Sequence, residues 1–344
     1  MTVATDVLNA PRSSLQVLGS WHLDTTVLIV LVLAAVAYLA GVRQLRRRGE
    51  SWPLRRTALF LVAGLGGIAV VTMSALGVYD RTLFWPAATQ NAVLLTLTPL
   101  LLSLGDPIGL VTRCLPARSL PRGRIVTVLA FPMVSALLCL AATLVLYLTP
   151  LFRISLTDGA VHQLVWLGLV GLGCLFCWPM LSEQLLPEWC GYPMRMAFGF
   201  VDGLLDAIPG IIVMTGHGLI AGAYYASLHR GWGPSLRWDQ TIGGGLMLTI
   251  AEATAVPFAV ALFFRWARAD EAGARLADAR LAAGVDATGV AGTVGSGAGA
   301  DRRVADGTAT GSSGADRAPV GELQKPWWET DPGPLADRTP RRPR

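Results

Sequence analysis

The feature that most constrains this chain is a series of apolar blocks, each roughly 17–25 residues long. That length crosses a hydrocarbon core about 30 Å thick at about 1.5 Å per residue. Charged residues make up only 15% of the chain, against about a quarter in a typical soluble domain. The blocks also lack the polar stripe that a helix on a soluble core shows at each turn. The sequence therefore predicts an all-α, polytopic membrane protein.

We predict seven transmembrane helices packed in a bundle. The membrane domain covers residues 24–270, after an extracytoplasmic segment at 1–23 and before a cytoplasmic region at 271–344. The predicted spans are 24–42, 57–78, 86–104, 125–148, 161–181, 197–220 and 242–264.

Arginines are distributed unevenly between the two ends of these spans. Loops 43–56 and 113–124 hold clusters of arginine, whereas the loops after the second and fourth spans hold only Arg81 and Arg153. Cytoplasmic loops carry the excess of basic residues, so the N-terminus is predicted outside and the C-terminus inside. Orientation in the lipid bilayer thus explains the net charge of +5, and we expect no nucleic-acid partner.

The region after the last span changes in composition. Residues 265–281 alternate in charge and are typical of a helix that leaves the membrane. From about Gly284 the chain is mainly Ala, Gly, Ser, Thr and Asp. Such a segment buries too little apolar surface to offset its chain entropy, so we predict a disordered cytoplasmic tail.

Three acidic residues lie within the predicted spans and away from the span ends. Asp202 and Asp206 are four residues apart in the sixth span, which places them on one helix face. Glu252 lies near the middle of the seventh span. A charge at this depth costs about 2.5–3.5 kcal/mol, so these positions are candidates for function. They indicate either an ion or metal site facing the bundle interior or a structural hydrogen-bonded cluster.

A loose set of metal-binding residue types lies toward the outer face. His162 begins the fifth span, while Met214 and His217 lie near the end of the sixth, above Asp206. Imidazole and thioether groups suit copper. The alternative is that the histidines are ordinary polar residues at the membrane interface. The C-x-x-C formed by Cys174 and Cys177 indicates packing more than a metal pair.

Helix-breaking residues form two further features. The run 206–210 contains Pro209 and Gly210, and we predict that it interrupts the sixth span. Three glycines at 243–245 are predicted to open the seventh span. Both segments would shape a cavity near the acidic pair.

Short motifs follow one another in order along the predicted spans. They are WHLD at 21–24, YLAGVR at 38–43, LGDP at 104–107, YLTPLF at 147–152, FCWP at 176–179, DQTIGGG at 239–245 and RWARADE at 265–271. With this ordered series the chain resembles the CtaG family of cytochrome c oxidase assembly factors. The resemblance implies a multi-pass protein of the bacterial cell membrane that assists a respiratory oxidase, with oxidase subunits as partners, a link to copper delivery and no enzymatic turnover.

The family's histidines are mostly replaced in this chain. Ala87 and Asn91 stand at its H-x-x-x-H pair, Trp166 at the second histidine of the fifth span, and Asp206 at the histidine of the sixth. Only His162 is retained. Because copper needs several convergent ligands, we expect weak or no copper binding and a role that depends on contacts with partner subunits.

Two alternatives from other classes are a transporter and an enzyme. A proton- or cation-coupled transporter would use Asp202, Asp206 and Glu252 along one path. Transporters tend to contain repeated halves, and no repeat is visible. A membrane-embedded enzyme is less favoured, because the sequence pairs no nucleophile with a base.

The arginine asymmetry generates a test of topology. A reporter that is active only outside the cytoplasm should work when fused after Tyr79 or Gly231, and should be inactive after Gly49 or Asp270. Reporter activity normalised to fusion protein abundance gives the result. Active fusions at Gly49 would show that the orientation is reversed.

Overall fold

The structure, a computed structural model, describes residues 19–114, 128–182, 186 and 190–294, with side chains to residue 280. Within these ranges the chain is helical and contains no strand. Six helices are long and apolar enough to cross a membrane, and a bent pair of helices raises this to seven. The prediction of an all-α polytopic membrane protein is therefore confirmed.

The helices are numbered here in chain order. Helix α2 includes a π-helical stretch at Leu59–Leu65, and α3 consists of Phe84–Leu95 followed by Leu97–Leu104. The bounds are α1 Thr25–Arg47, α2 Leu54–Tyr79, α3 Phe84–Leu104, α4 Pro107–Cys114, α5 Pro132–Leu148, α6 Leu151–Thr157, α7 Gly159–Leu181, α8 Tyr192–Thr215, α9 Gly222–Ser227 and α10 Leu236–Val294.

Helix α3 lies at the centre of the bundle. Of its most apolar window, 61% is buried, against 17% for α1 and for α8. The second half of α3 packs against both α7 and the π-helical stretch of α2, while α5 packs against α7 and α8. The outer helices expose apolar side chains such as Leu33 and Phe200, as expected where lipid is the solvent.

The central helix is broken at Thr96, between its two halves. Pro99 has no N–H to offer the carbonyl of Leu95, four residues earlier. The Thr98 hydroxyl instead donates to the carbonyl of Val93 at 3.0 Å. Gly173 of α7 lies directly against the Leu95 carbonyl oxygen, and any Cβ there would overlap it. Glycine is therefore required where α7 crosses the break.

Helices α8 and α10 approach each other closely through glycines, which corrects two predictions. Helix α8 is continuous through Pro209, and the next residue, Gly210, leaves room for the backbone of α10 to pack beside it. Helix α10 begins at Leu236, so the glycines at 243–245 lie inside it. A Cβ at Gly244 would lie 2.8 Å from the carbonyl oxygen of Gly210. Pro209, Gly210 and the glycines at 243–245 therefore lie within continuous helices, and Gly210 and Gly244 allow α8 and α10 to pack closely.

The fourth span ends at Leu148 as predicted, and the chain then bends by 69° into α6, which Pro150 precedes. Residues 125–127 of that prediction lie outside the described part. One other span ends differently in the structure. The sixth span stops at Thr215, short of the predicted residue 220. The Arg237 guanidinium donates hydrogen bonds to the carbonyls of Thr215 and Gly216. These bonds give partners to carbonyl groups that the end of α8 leaves unpaired.

The contacts divide the chain into two units, Met1–Leu281 and Ala282–Arg344. Of the second unit, the structure describes only the backbone of α10 as far as Val294. That helix passes the predicted start of the tail at about Gly284, and the rest of the predicted tail lies outside the described residues.

The packing at Gly173 generates a test of the fold. We expect Gly173→Ala to lower the stability of the detergent-solubilised protein by about 1–3 kcal/mol, because the backbone at the α3 break cannot move aside easily. The matched control is Gly168→Ala on the same helix, where nothing lies within 4 Å of the new Cβ. Equal melting temperatures for the two variants would contradict this view of the α3–α7 crossing.

Candidate functional site

The two aspartates of α8 line a small cavity inside the bundle. Asp202 and Asp206 lie one turn apart and contribute to a cavity of ≈ 40 Å³. Its wall also includes Thr96 and Thr254, whose hydroxyl oxygens lie 3.4 Å apart. A cavity of this volume holds a small number of water molecules.

A second cavity adjoins the first at Asp206. It has a volume of ≈ 20 Å³ and is lined by Asn91, Thr143 and Tyr147 as well as Asp206. The Asn91 amide donates to the Tyr147 hydroxyl at 3.2 Å. Asp206 is therefore the ionisable residue that lines both cavities, and Thr96 also borders both of them.

Small residues on α8 let the neighbouring helix close this site. A Cβ on Gly203 would lie 3.7 Å from Ala255, and one on Gly199 would lie 2.7 Å from Phe258. The helical period places these glycines on the same side of α8 as Asp202 and Asp206. The local sequence thus turns the carboxyl groups toward the bundle interior.

Neither carboxyl group has a hydrogen-bond or ion-pair partner within the described ranges. The predicted spans also contain no Lys or Arg that could neutralise Asp202 or Asp206 at their depth. Two thiols, those of Cys139 and Cys177, complete the wall and are also buried. The site can therefore hold protons, water or a small cation, and within the described residues no hydrogen bond pairs either thiol with a carboxyl group.

A separate polar cluster forms at the end of α7 that was predicted to be outer. Nε2 of His162 lies 3.0 Å from Oδ2 of Asp80, and both residues are buried. The Trp166 ring packs on the imidazole with centroids 4.2 Å apart. Burial raises the pKa of the Tyr225 phenol well above its usual value, and its hydroxyl donates to the Asp80 carbonyl at 3.5 Å. The carboxylate of Asp80 and the ring of Trp166 thus fix the position of the His162 side chain.

A fully buried acidic residue, Asp239, was not singled out from the sequence. Asp239 is 0% exposed and accepts hydrogen bonds from the backbone N–H groups of Phe84 (3.1 Å) and Trp85 (3.0 Å). It also pairs with Arg230 at 2.8 Å. Next to it, Gln240 donates to the carbonyls of Val213 and Gly218. The only signal in the sequence was that this pair begins the DQTIGGG motif.

The residues proposed for metal binding lie in different surroundings. His162 contacts Asp80, Asp206 lines the internal cavities, and Met214 packs near Gly245. His217 is exposed in the loop after α8. Within the described part of the chain, no group of three or more His, Cys, Asp or Glu residues is arranged to hold a metal ion.

Glu252 does not belong to the acidic cavity. It is exposed on α10, while the preceding Ala251 is buried and lines both cavities. Glu252 therefore lies off the wall that Asp202 and Asp206 line, because adjacent helix positions point about 100° apart. The two cysteines of the C-x-x-C sequence lie in different parts of the bundle. Cys177 lines the cavity, while Cys174 packs in a hydrophobic cluster with residues of α1.

Comparison with known proteins identifies one family. The family model that matches residues 36–269 is described as cytochrome c oxidase caa3 assembly factor. Uncharacterized proteins of Mycobacterium bovis and Mycobacterium tuberculosis are each 29% identical over 276 residues. One from Mycobacterium leprae is 26% identical over 278 residues. Each match covers 76% of this chain but only 42% of the relative. No solved structure matches.

The acidic cavity generates a test of its structural role. Asp206→Asn should cost less than about 1 kcal/mol of stability, because an amide still hydrogen-bonds to water and hydroxyl groups. Asp206→Leu should cost about 1–3 kcal/mol, because it overfills the cavities and leaves their polar groups unpaired. Thermal unfolding in detergent measures both, with exposed Leu204→Ala as the control. A leucine variant as stable as the asparagine variant would contradict this account.

Proposed function

The chain belongs to the family of cytochrome c oxidase caa3 assembly factors, and from this premise we propose that it assists biogenesis of a respiratory oxidase by binding oxidase subunits within the membrane. The family match supports this role, and it covers the membrane domain from α1 to α10. The curated relatives are longer, since this chain spans 42% of their length. The proposal therefore concerns the membrane domain that these proteins share.

The separation of the candidate ligands is the observation that favours contacts over copper delivery. A copper site needs several ligands that converge on one point. His162 is paired with Asp80 and packed against Trp166, and no group of three or more His, Cys, Asp or Glu side chains in the described residues is arranged to hold a metal ion. Asp206, which replaces another family histidine, lines cavities between the helices. These residues do not fit a copper site, so we propose that subunit binding carries the function.

A second candidate function is proton or cation transport through the acidic cavity. The observation that favours it is that two cavities meet at Asp206, with Asn91, Tyr147 and Thr96 along their walls. Glu252 lies outside this path, on the exposed face of α10. Proteoliposomes with an internal pH dye test this candidate: proton uptake that Asp206→Asn abolishes would support transport.

Deletion and complementation test the assembly role. Deleting the gene from its bacterium should lower the haem absorbance and the copper content of the membranes, because the oxidase is not completed. Wild-type protein and the His217→Ala variant should restore both, since His217 is exposed and outside any group of ligands. Normal oxidase spectra in the deletion strain would refute the assembly role.

Copper titration of the purified protein tests the mode of action. We expect no tight stoichiometric equivalent, because loss of supporting groups alone lowers metal affinity about 10–100-fold, and here most of the ligands are replaced. The comparison is His162→Gln, which preserves a hydrogen-bonding side chain opposite Asp80. One tight equivalent that disappears in this variant would restore copper delivery as the function.

A further inference from the structure

Glu252 is an acidic residue exposed on the outside of the bundle, in the middle of a membrane span. Its neighbours on α10, Ala251 one position before and Thr254 two positions after, are both buried. Glu252 itself is exposed. No hydrogen-bond or ion-pair partner for its carboxyl group occurs in the described ranges. In an isolated chain this group therefore faces lipid.

The surroundings of Glu252 form a continuous exposed stripe along α10, here called the Glu252 stripe. Its members are Thr249, Glu252, Val256, Val260 and Phe263, which recur at helical spacing. Val256 is 65% exposed and Phe263 is 49% exposed. The Thr249 hydroxyl donates to the Gly245 carbonyl of its own helix at 2.9 Å. The Glu252 carboxyl group is thus the one strong polar group on the stripe that its own helix does not satisfy.

A carboxylate in this position is costly. Placing a charge at mid-membrane costs about 2.5–3.5 kcal/mol, and a Gln, Ala or Leu would avoid that cost. The carboxyl group must be neutralised by a proton or by a partner at the same depth. A partner helix with a basic side chain would do so by an ion pair shielded from water.

A second copy of this chain does not supply that partner. None of the seven spans contains a Lys or Arg between its ends. A symmetric contact through α10 would bring one Glu252 toward another, and like charges repel in a medium of low dielectric constant. Charge complementarity therefore favours a different membrane protein.

We propose that the Glu252 stripe is the docking surface for a transmembrane helix of another protein that carries a Lys, Arg or His at matching depth. Glu252 would pair with that basic residue, while Val256, Val260 and Phe263 pack against its apolar neighbours. The inference rests on the proposed function in one respect: the partner is taken to be an oxidase subunit. The stripe defines the surface that receives it.

Site-specific photo-crosslinking in cells tests the proposal. A photoreactive residue is placed at Val256 on the stripe, and as a matched control at Leu164 on α7, which is 66% exposed on another helix. Each variant is combined with native Glu252, Glu252→Asp, Glu252→Gln or Glu252→Leu. Crosslinked products are identified with antibodies to the oxidase subunits and to a tag on this chain.

We expect crosslinks from Val256 to an oxidase subunit that carries a basic residue within a span. Glu252→Asp should retain them, while Glu252→Gln and Glu252→Leu should reduce their yield about tenfold or more, because the basic partner loses its charge partner in a dry environment. The abundance of each variant in the membrane is measured in parallel. Because the position is exposed, the variants should remain as abundant as the wild type.

Three other outcomes would overturn the inference, and they separate it from the proposed function. Oxidase crosslinks from Leu164 alone would place the docking surface elsewhere and leave the assembly role intact. Crosslinks between two copies of this chain through Val256 would identify a homodimer surface. Undiminished crosslinks in Glu252→Gln would show that charge is not required. Failure of the assembly role itself would appear separately, as normal oxidase spectra in the deletion strain.

Discussion

The buried carboxylate of Asp239 is the interaction on which the arrangement of the bundle depends. It accepts hydrogen bonds from the backbone N–H groups of Phe84 and Trp85 at the start of α3, and it forms an ion pair with Arg230. One side chain thus caps the central helix and fixes the beginning of α10 beside it. A helix start leaves N–H groups without partners, and in a membrane the cost of leaving them unpaired is high. The registry of α3 against α10 follows from this cap.

That registry determines where the cavities form. The break in α3 at Thr96 lies opposite Gly173 on one side and near Thr254 of α10 on the other. Helix α8 closes the space through Gly199 and Gly203, with Asp202 and Asp206 facing inward. The carboxyl groups of α8 thus face a space that the break in α3 and the small residues of α8 leave open. Other buried polar groups, such as Asp80 and Asp239, are held by hydrogen bonds to neighbouring helices.

The same packing places the candidate metal ligands in different surroundings. His162 is buried between Asp80 and Trp166, while Asp206 lines the cavities beside α8. His217 is exposed in the loop after α8. The helix packing that separates these groups depends on the Asp239 cap and on glycines at close contacts.

The sequence by itself determined the helical membrane class, the approximate spans, the family and the shared face of Asp202 and Asp206. These are local properties, since they follow from the length of apolar runs and the period of a helix. Only the tertiary structure decided that Pro209 leaves α8 continuous, that Gly244 lies within α10, that Asp239 caps α3, and that Glu252 faces outward. Each of these depends on which helix lies beside a residue. A contact between distant segments leaves no period in the sequence, so packing alone assigns a buried or exposed side to each polar group.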